Sequence, residues 1–273
     1  MAVEIRNIKV GDNLPFALIA GPCVVESEEL IISTAKKILE ITQRHNIPFI
    51  FKSSFKKANR TNINSFSGIG DEKAISILKK VSDEFNIPVL TDIHSESDIE
   101  KVIDAVDVIQ IPAFLCRQTE LLIAAGKSGL VVNIKKGQFL APEDMKHAAD
   151  KIASTGNTKI LLTERGTTFG YHNLVVDMRS LIIMRELGFP VVMDATHSVQ
   201  LPSNSNVSGG QPKFIKPLAR AAAAVGIDAL FLEVHPEPSK ALSDAASQLP
   251  LSELEELLIE IKKIDSVIKS VKN

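Results

Sequence analysis

Pro48-Phe-Ile-Phe-Lys-Ser-Ser-Phe-Lys-Lys-Ala-Asn-Arg-Thr61 is the stretch on which the reading of this chain turns. Its first half, Phe49–Phe51, is a short apolar run of the kind a parallel strand buried on both faces requires. Its second half turns cationic and hydroxyl-rich as the strand ends: Lys52, Lys56, Lys57 and Arg60 stand among Ser53, Ser54, Asn59 and Thr61. Ammonium groups, a forked guanidinium and hydroxyls are the donors that a phosphate or carboxylate takes. A solvated basic loop would have the same composition. Against that, the whole chain carries a formal charge of -2, so the positive charge is local.

The pattern repeats outward from this stretch. Upstream, Phe16–Ala20 ends in Gly21-Pro22-Cys23. Downstream, the strand-like runs are Val89–Ile93, Val108–Ile111, Val131–Ile134, Ile160–Leu162, Val191–Met193 and Ala229–Glu233. Helical spacing fills the gaps, from Ser27 to His45 and then over Asp71–Glu84, Ser97–Ile103, Thr119–Ala125, Pro142–Ser154, Val175–Leu187 and Pro217–Val225. A last helix carries Leu251, Leu254, Leu258, Ile261, Ile264 and Val267 on one face, with Ser252 and Glu255 at capping-box spacing. Eight strands alternating with helices over 273 residues predict an α/β (β/α)8 TIM barrel forming one domain, 1–273. Residues 1–16 read as a short N-terminal β-hairpin closing the bottom, with its turn at Gly11-Asp12-Asn13. A doubly wound open sheet is the alternative, weakened because no G-x-G-x-x-G follows the first strand. Pro202–Gly210 is polar and glycine-rich and predicts a mobile lid loop.

Composition narrows the class. At 45% hydrophobic and 23% charged residues, the chain is ordinary globular material. No apolar run approaches the ~18 residues that span a membrane. The start, Met1-Ala-Val-Glu-Ile-Arg6, has no secretory character. Two cysteines, Cys23 and Cys116, make no disulfide framework, so a cytoplasmic location is expected. With no Trp and one Tyr, platforms for stacking nucleic-acid bases are not expected either.

In a barrel, the C-terminal strand ends share one face. Here those ends supply Cys23, Lys52, Asp92 with His94, Gln110, Lys135 with Lys136, Glu164 with Arg165, Asp194 with His197, and Glu233 with His235. Lys52, Lys57, Lys135 and Arg165 are cations aimed at one mouth, which suits a small polyanion. Cys23, His197, Glu233 and Asp244 offer a thiolate, an imidazole and two carboxylates that one divalent metal could take. Their spacing has no finger-like interval, and Cys23 could equally be a small buried residue. His94 and His235 could be hydrogen-bonded strand-end residues, and Glu164 could pair with Arg165.

Leu18-Ile-Ala-Gly-Pro-Cys23, Phe51-Lys-Ser-Ser-Phe-x-Lys-Ala-Asn-Arg60, Gln110-Ile-Pro-Ala-Phe-Leu-Cys-Arg-Gln118, Asn133-x-Lys-Lys-Gly-Gln-Phe139, Thr163-Glu-Arg-Gly-Thr-Thr-Phe-Gly-Tyr171, Asp194-Ala-Thr-His-Ser-Val-Gln200 and His235-Pro-Glu-Pro238 closely resemble the 3-deoxy-D-manno-octulosonate 8-phosphate synthase family, in order and over essentially the whole chain. The resemblance implies condensation of phosphoenolpyruvate with D-arabinose 5-phosphate, in supply of a lipopolysaccharide sugar. It implies that Lys52, Lys57, Lys135 and Arg165 bind phosphoenolpyruvate, with Gln110 and Ala113 lining the pocket. Asn59 would contact the sugar. Arg60 and Thr61 would take its phosphate with Arg117 from a neighbouring subunit of a homotetramer. Cys23, His197, Glu233 and Asp244 match the ligands of the metal-dependent branch, whose metal could be Zn, Fe or Mn. The related heptulosonate synthases typically read Lys-Pro-Arg-Thr where this chain has Lys57-Ala-Asn-Arg60. Thr61 stands where the family usually carries Ser, and it keeps the hydroxyl.

Overall fold

The computed structural model describes residues 1–59, 62–201 and 209–271. A two-stranded antiparallel hairpin, β1 (Ala2–Ile5) and β2 (Ile8–Gly11), comes first. The barrel strands follow: β3 (Ala17–Gly21), β4 (Phe49–Lys52), β5 (Val89–Asp92), β6 (Val108–Ile111), β7 (Val131–Lys135), β8 (Ile160–Glu164), β9 (Val191–Asp194) and β10 (Ala229–His235). Each pairs in parallel with the next, and β10 pairs with both β9 and β3, so the sheet closes as a (β/α)8 barrel. Around it lie α1 (Glu28–Arg44), α2 (Asp71–Phe85), α3 (Glu96–Val102), α4 (Thr119–Lys127), α5 (Met145–Ala153), α6 (Arg179–Glu186), α7 (Ile215–Val225) and α8 (Leu254–Ser270).

The two faces of the strands explain both cores. Residues two apart share a face. Phe49, Phe51, Ile109, Ile111, Val132, Ile134, Leu230 and Leu232 face outward into one cluster with helix residues such as Ile38, Leu78, Leu122, Ile152 and Leu258. The alternate set, Ile19, Ile50, Leu90, Val108, Val131, Leu161, Val192 and Phe231, forms a second cluster inside the barrel. Val3, Ile5, Ile8 and Val10 of the hairpin join that inner cluster, so the hairpin closes the bottom. Two residues further along seven of these strands, the inner set turns polar: Lys52, Asp92, Gln110, Asn133, Thr163, Asp194 and Glu233, all buried; on β3 that place is Gly21. The barrel is therefore apolar at one end and charged at the other.

Four local expectations are corrected. The hairpin turns at Arg6-Asn7, with Arg6 at φ 52, because pairing Ile5 with Ile8 puts Val3, Ile5, Ile8 and Val10 on one face. Gly11-Asp12-Asn13 makes the next turn, into the barrel. Helix α6 begins at Arg179 rather than Val175, since Leu174–Val175 pairs with Thr167–Thr168 and Asp177 Oδ1 accepts the Arg179 N–H. The Ser252–Glu255 box does not form. Leu251–Glu253 is a 3-10 turn, and Glu255 instead meets Arg44 at 2.5 Å and His45 at 2.8 Å at the end of α1. On α8, Val267 is exposed, and Leu257 takes a place in the buried face. Of the lid loop, residues 202–208 lie outside the described residues, and Gly209–Gly210 pairs with Gln200–Leu201.

Candidate active site

Glycine at position 21 starts the site. A Cβ there would stand 2.1 Å from the Lys52 carbonyl oxygen, so only glycine lets the chain pass β4 this closely. Beyond it, Val24 bridges to Ser54, and the Ser54 N–H donates to the Cys23 carbonyl at 3.2 Å. Cys23 is thereby held beside the end of β4.

The four cations of this mouth are committed differently. Lys52 Nζ donates to Glu233 Oε1 at 2.9 Å, to the Cys23 carbonyl at 3.1 Å and to Ser54 Oγ at 3.2 Å. Those three contacts use its three N–H groups. Lys135 pairs with Asp194 and lies 3.7 Å from the centre of the Phe231 ring. Burial pulls its ammonium below the usual lysine range, and Asp194 opposes this. Lys57 Nζ stands 3.9 Å from Asp92 and 3.8 Å from Glu233, beyond hydrogen-bond reach. Burial would lower the Lys57 pKa, but the acidic groups around it, Cys23, Glu233 and Asp92 foremost, raise it further. Arg165 donates through Nη2 to Gln200 Oε1 at 2.7 Å. Its buried Nη1 has no partner among the described residues. Lys57 and Arg165 are therefore the least committed of the four, with the most donors left for a ligand.

Beside them, Cys23, Glu233 and Asp244 bring one ligand atom each within 4.8 Å of one another. Cys23 Sγ is 3.2 Å from Asp244 Oδ2 and 3.2 Å from Ser243 Oγ. Burial, together with Asp244 and Glu233, pushes the thiol well above its ordinary pKa. Burial alone would raise the Glu233 carboxyl, but His197, Lys52, Lys57 and Lys135 hold it well down. Glu233 Oε2 is buried with no partner among the described residues. His197 lies outside the close triple, with Nε2 3.5 Å from Glu233 Oε1. Its Nδ1 is 2.7 Å from Asp194 Oδ2, and Asp194 Oδ1 accepts the His197 N–H at 2.9 Å. A carboxylate on Nδ1 leaves Nε2 as the nitrogen that could coordinate a metal.

A row of hydrogen bonds crosses the barrel opposite. Thr163 Oγ1 donates to Asn133 Oδ1 at 2.6 Å, Asn133 Nδ2 to Gln110 Oε1 at 2.9 Å, and Gln110 Nε2 to Asp92 Oδ1 at 2.8 Å. Ser54 Oγ donates to Asp92 Oδ2 at 2.7 Å. An ionised carboxylate only accepts, so Asp92 fixes the direction of every amide in the row. Burial would raise the Asp92 carboxyl, but Lys52, Lys57, His94 and Ser54 depress it.

The remaining expected residues divide. Ala113 opens a 3-10 turn after β6, and Arg117 is exposed on the same loop. Asn59 is exposed, while Arg60 and Thr61 lie outside the described residues. Glu164 does not pair with the Arg165 side chain. It accepts the backbone N–H groups of Arg165 at 2.9 Å and Gly166 at 2.6 Å, because a buried carboxylate must be satisfied and the turn supplies two donors. Lys136 faces away from the mouth, donating to Thr167 Oγ1 at 2.9 Å. His94 is half-buried beside Phe55, and His235 Nδ1 accepts the Glu237 N–H at 3.0 Å. Asn133, Thr163 and Gln200 were not anticipated as site residues. The first two were detectable as polar residues on the inward parity of buried strands. Gln200 offered no such signal.

The fold and this mouth define a (β/α)8 barrel whose buried cations suit a small anion. The family model described as the DAHP synthetase I family matches residues 1–270. Proteins named 2-dehydro-3-deoxyphosphooctonate aldolase are similar throughout. That of Syntrophotalea carbinolica is 54% identical over 268 residues, 98% of this chain and 97% of its own. Those of Geotalea uraniireducens and Rickettsia typhi are each 53% identical, covering 98% of both chains. The chain belongs to the DAHP synthetase I family, within its 2-dehydro-3-deoxyphosphooctonate aldolases.

Proposed function

We propose that this mouth holds phosphoenolpyruvate against D-arabinose 5-phosphate and, with one divalent metal, condenses the two with water. The products are 3-deoxy-D-manno-octulosonate 8-phosphate and phosphate. The observation that carries the reading is the pair of buried cations with free donors, Lys57 and Arg165, among the described residues.

Carbon 3 of the enol ether attacks the sugar aldehyde and forms the C–C bond. Carbon 2 takes up positive character, and water adds to it. The hemiketal phosphate then expels phosphate by C–O cleavage. Lys57 and Arg165 orient the phosphate and carboxylate, and Lys52 and Lys135, held by Glu233 and Asp194, add to the positive field that offsets their charge in a site shielded from water. Gln110 and Ala113 line the pocket. Asn59 contacts the sugar, and Arg60 and Thr61, with Arg117 of a neighbouring copy, take its phosphate. The enol is already a nucleophile, so no imine on Lys135 is needed. That lysine is also engaged by Asp194.

Cys23, His197, Glu233 and Asp244 would hold Zn, Fe or Mn. The unpartnered Glu233 Oε2 and three ligand groups crowded within 4.8 Å fit a cation, whose charge would replace the proton that the buried Cys23 thiol otherwise keeps. When bound, the metal supplies a Lewis acid that polarises the aldehyde or positions the water.

A homotetramer is supported by exposed aromatics, Phe114 at 54%, Phe139 at 56% and Phe169 at 69%, on loops after β6, β7 and β8, with Phe114 on the same loop as Arg117. Among the described residues no helix is long and apolar enough to cross a membrane. Two free buried thiols and phosphorylated substrates suit the cytoplasm, where lipopolysaccharide precursors are made.

Mixing the chain with phosphoenolpyruvate and D-arabinose 5-phosphate should release phosphate in step with product, and erythrose 4-phosphate should release little. Faster release with erythrose 4-phosphate would move the chain to heptulosonate chemistry. Binding of both substrates without release would make it a silent phosphosugar-binding barrel.

A further inference from the structure

Gln200 is the only described side chain that hydrogen-bonds the Arg165 guanidinium, at 2.7 Å from Nη2. It does so as a neutral amide. Carboxylates are near enough to act on Arg165 through space, Asp194, Glu164, Asp244 and Glu233 among them. Yet among the described residues none lies within ion-pair distance of the guanidinium. A buried arginine is more often answered by a carboxylate, which binds its fork bidentately and cancels its charge. Here Nη2 is fixed, Nη1 is left unpartnered, and the group is 5% exposed.

The position of Gln200 is itself fixed from two sides. It begins the ribbon Gln200–Leu201, paired with Gly209–Gly210, and the next N–H, of Gln211, donates to the Val199 carbonyl at 2.9 Å. The return strand presses on the turn after Asp244: a Cβ on Gly210 would meet the Ala246 carbonyl oxygen at 2.4 Å. The amide of Gln200 is thus carried by backbone that also borders the Cys23–Glu233–Asp244 cluster.

We propose that Gln200 is a positioning residue for Arg165: its neutral oxygen aims the guanidinium at the anion of phosphoenolpyruvate and leaves the positive charge intact for that anion. This rests on the reading of Arg165 as an anion-binding residue. It makes a distinctive claim, that neutrality at position 200 matters as much as the acceptor. A glutamate of the same shape would accept better from Arg165 and still harm the site, because it would occupy the fork and cancel its charge.

Steady-state kinetics on the purified full chain test this with Gln200→Met, Gln200→Glu and Arg165→Ala, varying each substrate in turn. Gln200→Met keeps the volume and loses the acceptor. It should raise the KM for phosphoenolpyruvate roughly tenfold, the scale of one hydrogen bond to a charged group, and leave the sugar KM unchanged. Gln200→Glu should be worse than Gln200→Met, roughly a hundredfold. A residue that only packs the ribbon predicts the reverse order, with the isosteric glutamate milder. That reverse order, or equal rises in both KM values, would overturn the proposal. If Gln200→Glu fails to fold, Gln200→Met decides by itself: a rise confined to phosphoenolpyruvate supports the proposal, and no rise overturns it. Arg165→Ala checks the underlying reading separately. An unchanged phosphoenolpyruvate KM in that variant would remove the anion-site assignment, whatever position 200 does.

Discussion

Cys23 concentrates the chemistry of the mouth because its thiol is buried between carboxylates that keep it protonated. A divalent cation held by Cys23, Glu233 and Asp244 would reverse that preference, since the thiolate would then gain a charge partner. Cys23→Ala should therefore lose bound metal by elemental analysis and lose most turnover. Cys23→Asn should also lose the metal but keep measurable turnover in chelator, if an amide can hold the water or the aldehyde by hydrogen bonds. Full wild-type activity after exhaustive chelation, with no metal found, would leave His197, Glu233 and Asp244 as hydrogen-bonding residues. At this scale, legibility followed residue type and strand position. Lys52, Lys135, Arg165 and Glu233 were visible because charged residues ending apolar runs have few structural reasons to be there. Asn133 was hidden inside a run that read as apolar and Thr163 stood just past the end of one, and their role appears only when the inward parity of β7 and β8 is fixed. The bond from Gln200 to Arg165 joins residues 35 apart in sequence and leaves no periodic trace.

The strands and the hairpin divide the work between chemistry and stability. Across β5 to β8, the row from Thr163 to Asp92 ends on one ionised carboxylate set against Lys57. Removing that charge leaves buried cations without their partner, so Asp92→Asn should cost about 3–5 kcal/mol at pH 7 in urea unfolding. The pH dependence has a definite sign. The folded-state carboxyl is depressed, so its contribution is complete above the unfolded value, about 4, and is lost as pH falls toward the lower folded value. Wild type should therefore lose more stability than Asp92→Asn between pH 7 and pH 3; equal losses would show that Asp92 carries no such linkage. At the other end, Ile5 is buried in the inner cluster. Ile5→Ala should cost about 2–5 kcal/mol and leave both KM values unchanged, because the site is at the opposite end of the barrel. Element types and order were legible from runs and spacing. The α6 start and the α8 cap were not, because the Thr167–Thr168 ribbon and the Glu255–Arg44 contact are tertiary and outweigh local propensity.

At the scale of the molecule, one barrel turns alternation within each strand into a chemical gradient: apolar where the hairpin seals it, charged where the loops open it. Closure of β10 onto β3 is what makes residues as distant as Cys23 and Glu233 neighbours. The central claim is that this mouth joins an enol ether to an aldehyde and releases phosphate by breaking the C–O bond. Phosphoenolpyruvate labelled with heavy oxygen at the bridging position tests it most directly, with D-arabinose 5-phosphate as the acceptor and mass analysis of both products. The account predicts that the label leaves in the phosphate and that the new sugar acid carries none at carbon 2. Label retained in the sugar acid would mean that the P–O bond breaks instead, and that result would contradict the account.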